Sequence, residues 1–245
     1  MVGAVGKDEF AAPALSLLRA GGVDLSRVRA VKGPTGVALI LVDAGGENVI
    51  AVIPGANGTV SETDAAALDF NEGDALVLQL EVPVRSIEVV AQRAREAGAH
   101  VLLNFAPFRP DAIALIRHAT HLIVNESECG LIATALKIPP GVPAVQAATI
   151  SGKHAVTVIV TLGKDGALAV FDGKSEVVSA LKVTAIDTVG AGDTFCGYLA
   201  AALSEGLPLS RALALAAAAG SLACTRAGAQ PSIPLRGDVE AALMA

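Results

Sequence analysis

The stretch DTVGAGDTF, residues 187–195, joins a run of strand-forming residues to a long helix rich in Ala and Leu. Gly190, Ala191 and Gly192 have little or no side chain, so the backbone N–H groups that open this helix are free to point at an anion. The carboxylate of Asp193 stands beside them. Such a pairing suits a base that takes a proton from a hydroxyl as the hydroxyl attacks a phosphoryl group. Asp is also a favoured helix cap, so the local sequence alone equally allows a capped helix without chemistry.

Upstream of this stretch, short apolar or β-branched runs alternate with segments of helical periodicity, and the part of the chain after it is helical. The alternation predicts an α/β fold with a doubly wound, mostly parallel sheet flanked by helices. The predicted strands cover 75–80, 100–104, 121–124, 156–161, 166–171 and 176–183, and the predicted helices cover 9–20, 85–97, 111–118, 193–204, 209–224 and a short segment near Val239.

Two further β-rich runs, at 36–42 and 48–53, fall outside this rhythm. Residues 43–47 join them and read as a hairpin turn. We interpret residues 36–53 as part of a small β lid on a single α/β domain that covers residues 1–245.

Composition and charge exclude several classes of protein. The 245 residues are 53% hydrophobic with a net charge of −6 and no basic cluster, which argues against disorder, nucleic acid and anionic membranes. The three cysteines lack the spacing of metal ligands. No apolar run is long enough to span a membrane, and the N-terminus lacks the pattern of a signal peptide, so we expect a cytoplasmic protein.

Polar side chains follow the predicted strands, at the sheet edge where α/β proteins bind ligands. Asn125 and Glu128 follow one strand and suit phosphate and hydrated Mg²⁺, although they also suit an ordinary polar helix start. Thr161 precedes a Gly-rich turn that contains Gly163 and Gly166. Such a turn allows a nucleotide to approach the backbone, although the same residues also suit an ordinary hairpin turn. Glu81 follows another strand, where a carboxylate suits sugar hydroxyls or merely solvent. The histidines at 100, 118 and 121 are predicted to be surface residues.

In this order, the segments resemble the ribokinase family of sugar kinases, also called the PfkB carbohydrate kinases. The resemblance rests on an ordered set of motifs that runs over essentially the whole chain. Its members are Gly36-Val37-Ala38, Gly55-Ala56-Asn57, Gln79-Leu80-Glu81, Asn104-Phe105-Ala106-Pro107, Asn125-Glu126-Ser127-Glu128, Thr161-Leu162-Gly163, the 187–195 stretch and Gly228-Ala229-Gln230-Pro231-Ser232.

The resemblance implies a role for each candidate residue. Asp193 would be the base, and Gly190, Ala191 and Gly192 would form the anion hole for the transferring phosphoryl group. The other implied roles are ATP and phosphate binding by Asn125, Thr161, Gly163 and Gly166, Mg²⁺ binding through water by Glu128, sugar binding by Glu81, and a monovalent cation site, usually K⁺, at Asp187, the Val189 carbonyl and Ser232.

The sequence departs from the family pattern at its start. Members begin with a strand bearing an Asn-x-Asp motif, and a Gly-Gly-x-Gly-x-Asn segment follows; this sequence has neither. Residues 1–8 are similar to the family's next strand and turn, so roughly sixty residues of the pattern have no counterpart. The missing part includes a sheet strand and part of the lid, and its absence predicts an exposed sheet edge and a poorer sugar site.

The implied function is an ATP-dependent kinase that phosphorylates a primary hydroxyl of ribose or a similar sugar, with a homodimer joined through the lid. Other substrates stay open: a hexose, a keto-deoxy sugar acid or a nucleoside. A non-catalytic nucleotide-binding protein, left without a sugar site, is the alternative from another class. A dinucleotide-dependent dehydrogenase is disfavoured, because Gly3 and Gly6 do not supply its Gly-x-Gly-x-x-Gly motif.

Overall fold

The computed structural model describes residues 1–42 and 48–244, and the chain divides into two compact units. The first unit comprises Met1–Leu68 with Glu81–Val90, and the second comprises Asp69–Leu80 with Ala91–Ala245. The expectation of one domain over residues 1–245 stays a prediction.

The first unit contains two short pairs of strands. Strands β1 and β2 pair in parallel, with Val2 opposite Arg27, and β3 and β4 form the antiparallel pair predicted for the lid. The predicted turn at 43–47 lies outside the described residues. The bounds are β1 Val2–Val5, α1 Ala11–Ala20, β2 Arg27–Ala30, β3 Val37–Val42, β4 Asn48–Ile53 and α2 Glu62–Ala66.

Among the described residues of this first unit, the apolar contacts include one small cluster. A small cluster joins Ala4, Ala56 and Val60, whereas helix α1 has no buried residue. A polar contact ties β2 to α2, because the Arg29 guanidinium donates from Nε and Nη2 to the two carboxylate oxygens of Asp64, at 2.7 Å each. These hydrogen bonds lower the pKa of the Asp64 carboxyl to about 2.

The second unit holds most of the regular structure. Helix α3 starts in the first unit and ends in the second. The bounds are β5 Ala75–Leu78, α3 Val84–Glu96, β6 His100–Asn104, β7 His121–Asn125, α4 Glu126–Ala135, α5 Pro143–His154, β8 Thr157–Thr161, β9 Ala167–Phe171, β10 Lys174–Val178, α6 Ala191–Ser204, α7 Leu209–Ala223 and α8 Arg236–Met244.

The described strands of this unit form one sheet in the order β10-β9-β8-β7-β6-β5. Strands β5 to β8 are parallel, and β9 and β10 are antiparallel additions. Helices α6 and α7 share a buried cluster with one face of the sheet, which includes Leu102, Ile123 and Ile159. Alternate residues such as Val101 pack with α3 on the opposite face. The predicted doubly wound α/β fold is therefore confirmed.

Strand β5 is an open apolar edge of this sheet. Among the described strands it has β6 as a neighbour on one side only, and each of its four residues is partly exposed. Leu76 and Leu78 pack toward α3, while Ala75 and Val77 pack toward α6. Apolar contacts on both faces are typical of an interior strand.

Several elements differ from their predictions. The helix predicted at 111–118 is a 3₁₀ helix over Pro110–His118, and the strand predicted to reach Val183 ends at Val178. Helices α2, α4 and α5 and strand β2 were not predicted as regular elements. Helix α5 starts at Pro143, directly after a Pro- and Gly-rich segment, because proline is favoured in the first turn of a helix.

The prediction that His121 is a surface residue is wrong. It is only 8% exposed, and its ring lies 5.7 Å from the ring of His100. Burial, with smaller contributions from His100 and Arg95, lowers the pKa of His121 to about 4. Its Nδ1 lies 2.8 Å from the Thr120 hydroxyl oxygen, so a hydrogen bond compensates part of its burial.

Within residues 1–42 and 48–244, the helices are all too short or too polar to cross a membrane.

Candidate active site

The anion-binding element predicted from the sequence is a glycine-capped helix start. Gly190 caps α6 with a positive φ of 76°, and a Cβ there would lie 3.1 Å from the Cα of Ala229. The position therefore needs glycine for its backbone conformation and for its close approach to the 228–232 loop. The Gly190 carbonyl accepts from the Thr194 N–H at 2.8 Å, so the helix is already regular there. The Ala191 N–H donates to the Thr188 carbonyl at 3.3 Å, and the other N–H groups of the first turn lie at the positive end of the helix dipole.

Asp193 is exposed in the first turn of α6. The buried thiol of Cys196 lies one helical turn after Asp193 on α6. Its pKa is raised to about 12, mainly by burial and then by the charges of Asp193 and Glu128. Because both carboxylates act on the same thiol, Asp193 on α6 and Glu128 on α4 border the same part of the second unit. This is the pair that the resemblance assigns to base and to Mg²⁺.

Asn125 and Glu128 form a reciprocal cap at the start of α4. The Asn125 Oδ1 accepts from the Glu128 N–H, and the Glu128 Oε2 accepts from the Asn125 N–H, each at 2.8 Å. The polar helix start that the sequence allowed is thus present. Burial raises the pKa of Glu128, and the bond from Asn125 opposes that rise. One carboxylate oxygen of Glu128 serves the cap, and the other carries no bond in it.

The Gly-rich turn after β8 is tightly closed. Leu162 donates to the Gly166 carbonyl at 2.8 Å, and Gly163 and Gly166 have positive φ values of 54° and 103°. A Cβ on Gly166 would overlap the Val178 carbonyl oxygen, whereas one on Gly163 would meet nothing within 4 Å. Thr161 precedes the turn and donates its hydroxyl to the Val124 carbonyl at 3.4 Å. The turn therefore places the backbone of Gly163 and Gly166 at the carboxyl edge of the sheet.

A cavity of about 640 Å³ lies between this turn and the start of α6. Its volume falls in the usual range of small-molecule sites, about 300–1,000 Å³. The predicted residues Thr161, Gly163, Gly166, Ala191 and Gly192 all line it. Helix α7 and the irregular segment 180–185 supply much of the remaining wall, and sequence reasoning missed this contribution. Gly220 and Ser221, which interrupt an alanine run, are the sequence signal that could have indicated it.

The predicted monovalent-cation residues lie on two loops that Asp187 joins. Its Oδ1 accepts from the Val189 N–H at 3.0 Å, and its Oδ2 accepts from the Gly228 N–H at 2.8 Å. These bonds lower the pKa of Asp187, so the carboxyl is charged at neutral pH. Ser232 is fully buried and donates its hydroxyl to the Ala229 carbonyl at 2.8 Å.

The candidate residues are distributed over both units. All except Glu81 belong to the second unit, whereas Glu81 belongs to the first. In the described part of the chain, no group of three or more His, Cys, Asp or Glu side chains is arranged to hold a metal ion.

Comparisons with known proteins agree with this geometry. The sequence profile described as "pfkB family carbohydrate kinase" matches residues 1–236. The chain therefore belongs to the pfkB family of carbohydrate kinases, which confirms the family and the class of enzyme predicted from the sequence motifs.

Similar curated proteins include ribokinases. The chain is 36% identical over 241 residues to the ribokinase of Schizosaccharomyces pombe, covering 96% of this chain and 76% of that one. It is 33% identical over 239 residues to the ribokinase of Haemophilus influenzae, covering 96% and 78%.

Similar solved structures include ribokinases as well. That of Thermotoga maritima has a TM-score of 0.87 at 30% identity and covers 100% of this chain and 80% of that chain. The Arabidopsis thaliana ribokinase complexed with ribose and ATP has a TM-score of 0.85 at 30% identity, with 99% and 80% covered.

Proposed function

We propose that the chain transfers the γ-phosphoryl group of ATP to a primary hydroxyl of ribose or a similar sugar. The observation that carries the proposal is the pairing of an exposed Asp193 with the glycine-capped start of α6, at a cavity of nucleotide size. Ribokinases at 30–36% identity, one of them complexed with ribose and ATP, support the choice of substrates.

Asp193 acts as the base that accepts the proton of the sugar hydroxyl. Its exposure in the first turn of α6 leaves the carboxylate accessible to a substrate. The backbone N–H groups of residues 190–192 stabilise the negative charge on the transferring phosphoryl group, because they are fixed in place by the helix before the reaction begins. In-line transfer then requires only that the sugar hydroxyl and the γ-phosphoryl group of ATP are held close together and aligned.

The nucleotide occupies the cavity between the turn after β8 and helix α6. Thr161, Gly163 and Gly166 line one side of it, and the absence of side chains on the two glycines permits close approach to the backbone. Asn125, which caps α4, orients phosphate with its amide. The apolar lining contributed by α7 and segment 180–185 suits the flat face of a nucleobase.

Two cations complete the proposal. Glu128 has one oxygen outside its capping bonds and fits Mg²⁺ through water. Asp187, the Val189 carbonyl and Ser232 fit a monovalent cation such as K⁺, because the two loops that carry them are joined by the Asp187 carboxylate. A bound monovalent cation would supply charge that orders the Gly-rich stretch beside the anion hole.

Glu81 is the proposed sugar ligand, and the β3–β4 pair is the proposed lid and dimer contact. Exposed apolar residues on this pair, including Leu39, Val52 and Ile53, are consistent with a covered surface in a homodimer. With the lid, we propose a single ribokinase-like domain over residues 1–245.

The test is ADP release by the purified 245-residue chain with Mg-ATP and K⁺, measured with and without D-ribose. Ribose-dependent release is expected. Release with a hexose, a sugar acid or a nucleoside, but not with ribose, would keep the reaction and replace the acceptor.

A second candidate is a nucleotide-binding protein without sugar kinase activity. It is favoured by the location of the cavity wholly within the second unit, while Glu81 belongs to the first unit. Calorimetric binding of ADP together with no acceptor-dependent ADP release would select this candidate over the kinase.

A further inference from the structure

One face of helix α7 lines the nucleotide-sized cavity. Ala217, Gly220, Ser221 and Cys224 recur at helical spacing and all border it. Gly220 brings α7 against the anion-binding helix, because a Cβ there would lie 3.2 Å from the Ala191 carbonyl oxygen. The last turns of α7 therefore form one wall of the cavity and contact the start of α6.

Another wall of the cavity is an irregular segment that begins beside Gly166 of the Gly-rich turn. Residues 179–190 belong to no helix or strand, and Ala180, Leu181, Lys182, Val183 and Ala185 line the cavity. An irregular backbone segment has no ladder of hydrogen bonds, so its position depends on individual partners.

Helix α7 holds this segment at two points. The Leu181 N–H donates to the Ser221 hydroxyl oxygen at 3.1 Å. Farther along, the Ile186 and Asp187 N–H groups donate to the Cys224 carbonyl at 2.7 and 3.2 Å. The second point uses backbone alone, whereas the first depends on the identity of one side chain.

Ser221 is well fixed for this contact. It is 8% exposed, and its hydroxyl donates to the Ala217 carbonyl at 2.8 Å, which leaves its oxygen to accept from Leu181. Serine is a poorer helix former than the alanines around it. Its hydroxyl oxygen accepts from the Leu181 N–H, which lies 40 residues earlier in the sequence, and this contact compensates for the lower helix propensity of serine.

We propose that Ser221 is a positioning residue for the nucleotide: it fixes segment 180–185 against α7 and thereby sets nucleotide affinity without touching the reacting atoms. The inference rests on the proposed function, because it takes the cavity as the nucleotide site. Loss of the hydroxyl leaves the Leu181 N–H without its partner, and the cavity wall loses one of its two attachments.

The experiment compares Ser221→Ala with the unaltered chain and with Ser204→Ala. Ser204 is a matched control, because its exposed hydroxyl donates to the Ala201 carbonyl of its own helix. ADP binding is measured by calorimetry, and the KM for ATP and kcat are measured with ribose. We expect Ser221→Ala to weaken ADP binding and raise the KM for ATP about tenfold, with kcat at saturating ATP within about twofold. Ser204→Ala should change neither.

A purely structural role would lower the melting temperature of Ser221→Ala and leave the ADP Kd of the folded protein within about twofold, and this result would overturn the inference. Should Ser221→Ala not fold, Ser221→Thr and Ser221→Val supply the same test at equal side-chain size. The threonine variant is expected to bind ADP about tenfold more tightly than the valine variant, and equal binding would overturn the inference. Absence of ADP binding by the unaltered chain would instead overturn the proposed function, and the inference with it.

Discussion

The Asp187 carboxylate joins two loops that lie 41 residues apart in sequence, because its Oδ2 accepts from the Gly228 N–H at 2.8 Å. Its other oxygen accepts from the Val189 N–H at 3.0 Å, directly before the Gly190 cap of α6. The same carboxylate therefore orients the start of α6 and the loop that carries Ser232.

Replacement of Asp187 by alanine should reduce turnover more than nucleotide binding. The variant loses both backbone contacts, so the Gly-rich stretch is less well positioned at the moment of transfer. We expect kcat to fall at least about tenfold, with the ADP Kd within about threefold. Asp24→Ala is the control, because the Asp24 carboxylate accepts locally, from the Ser26 N–H at 2.8 Å. An Asp187→Ala variant with unchanged kcat would refute the positioning role.

The two glycines of the turn after β8 should respond differently to alanine. At Gly166, φ is 103° and a Cβ would overlap the Val178 carbonyl and lie 2.7 Å from the Ala180 nitrogen, so the segment beside the cavity must shift. At Gly163, φ is 54° and space is open. We expect Gly166→Ala to lower the free energy of unfolding by more than about 3 kcal/mol and Gly163→Ala by about 1 kcal/mol. Urea denaturation measures both, and equal losses would contradict the close approach at Gly166.

Stability should fall in mild acid because of His121. Its pKa is about 4 in the folded chain against an ordinary value of 6.5, so the unfolded chain binds the extra proton first as pH falls. The contribution of neutral His121 to the free energy of unfolding is fully present above pH 6.5 and is lost as pH falls toward 4. Between pH 7 and pH 4.5 this group should remove about 2–3 kcal/mol from the free energy of unfolding.

The variant His121→Gln isolates this contribution. Between pH 7 and pH 4.5, the free energy of unfolding of this variant should fall by about 2–3 kcal/mol less than that of the unaltered chain. Urea denaturation at both pH values measures the difference. His118→Gln is the control, since His118 is only partly buried and accepts from the Arg117 Nε at 2.9 Å. An unchanged pH dependence in His121→Gln would show that His121 is not the group responsible.

Sequence patterns predicted the parallel strands and the long C-terminal helices well. Strand β6 has the predicted bounds, because its β-branched and aliphatic residues are buried and its ends are polar. The start of α6 was predictable, because Gly190 and Gly192 mark an unusual helix start. The Asn125–Glu128 cap was predicted only as one of two readings, and the structure contains it.

Features that depend on tertiary contacts were not predictable. His121 is buried because β7 is an interior strand, which its own sequence does not reveal. The segment after Val178 has the composition of a strand but has no ladder partner, since the cavity takes that place. Ser221 carries no local signal of its contact with Leu181, which lies 40 residues earlier.

The central claim is that Asp193 is the base of a sugar kinase, and one measurement tests it most directly. It is the rate of ribose-dependent ADP release by Asp193→Asn relative to the unaltered chain, with Asp238→Asn as the matched control. Asp238 occupies the same position in α8, as the third residue of the helix, and is also exposed. We predict that Asp193→Asn abolishes ribose-dependent release while ADP binding stays within about threefold, and that Asp238→Asn keeps full activity. Turnover by Asp193→Asn at the rate of the unaltered chain would contradict the assignment of the base and the mechanism built on it.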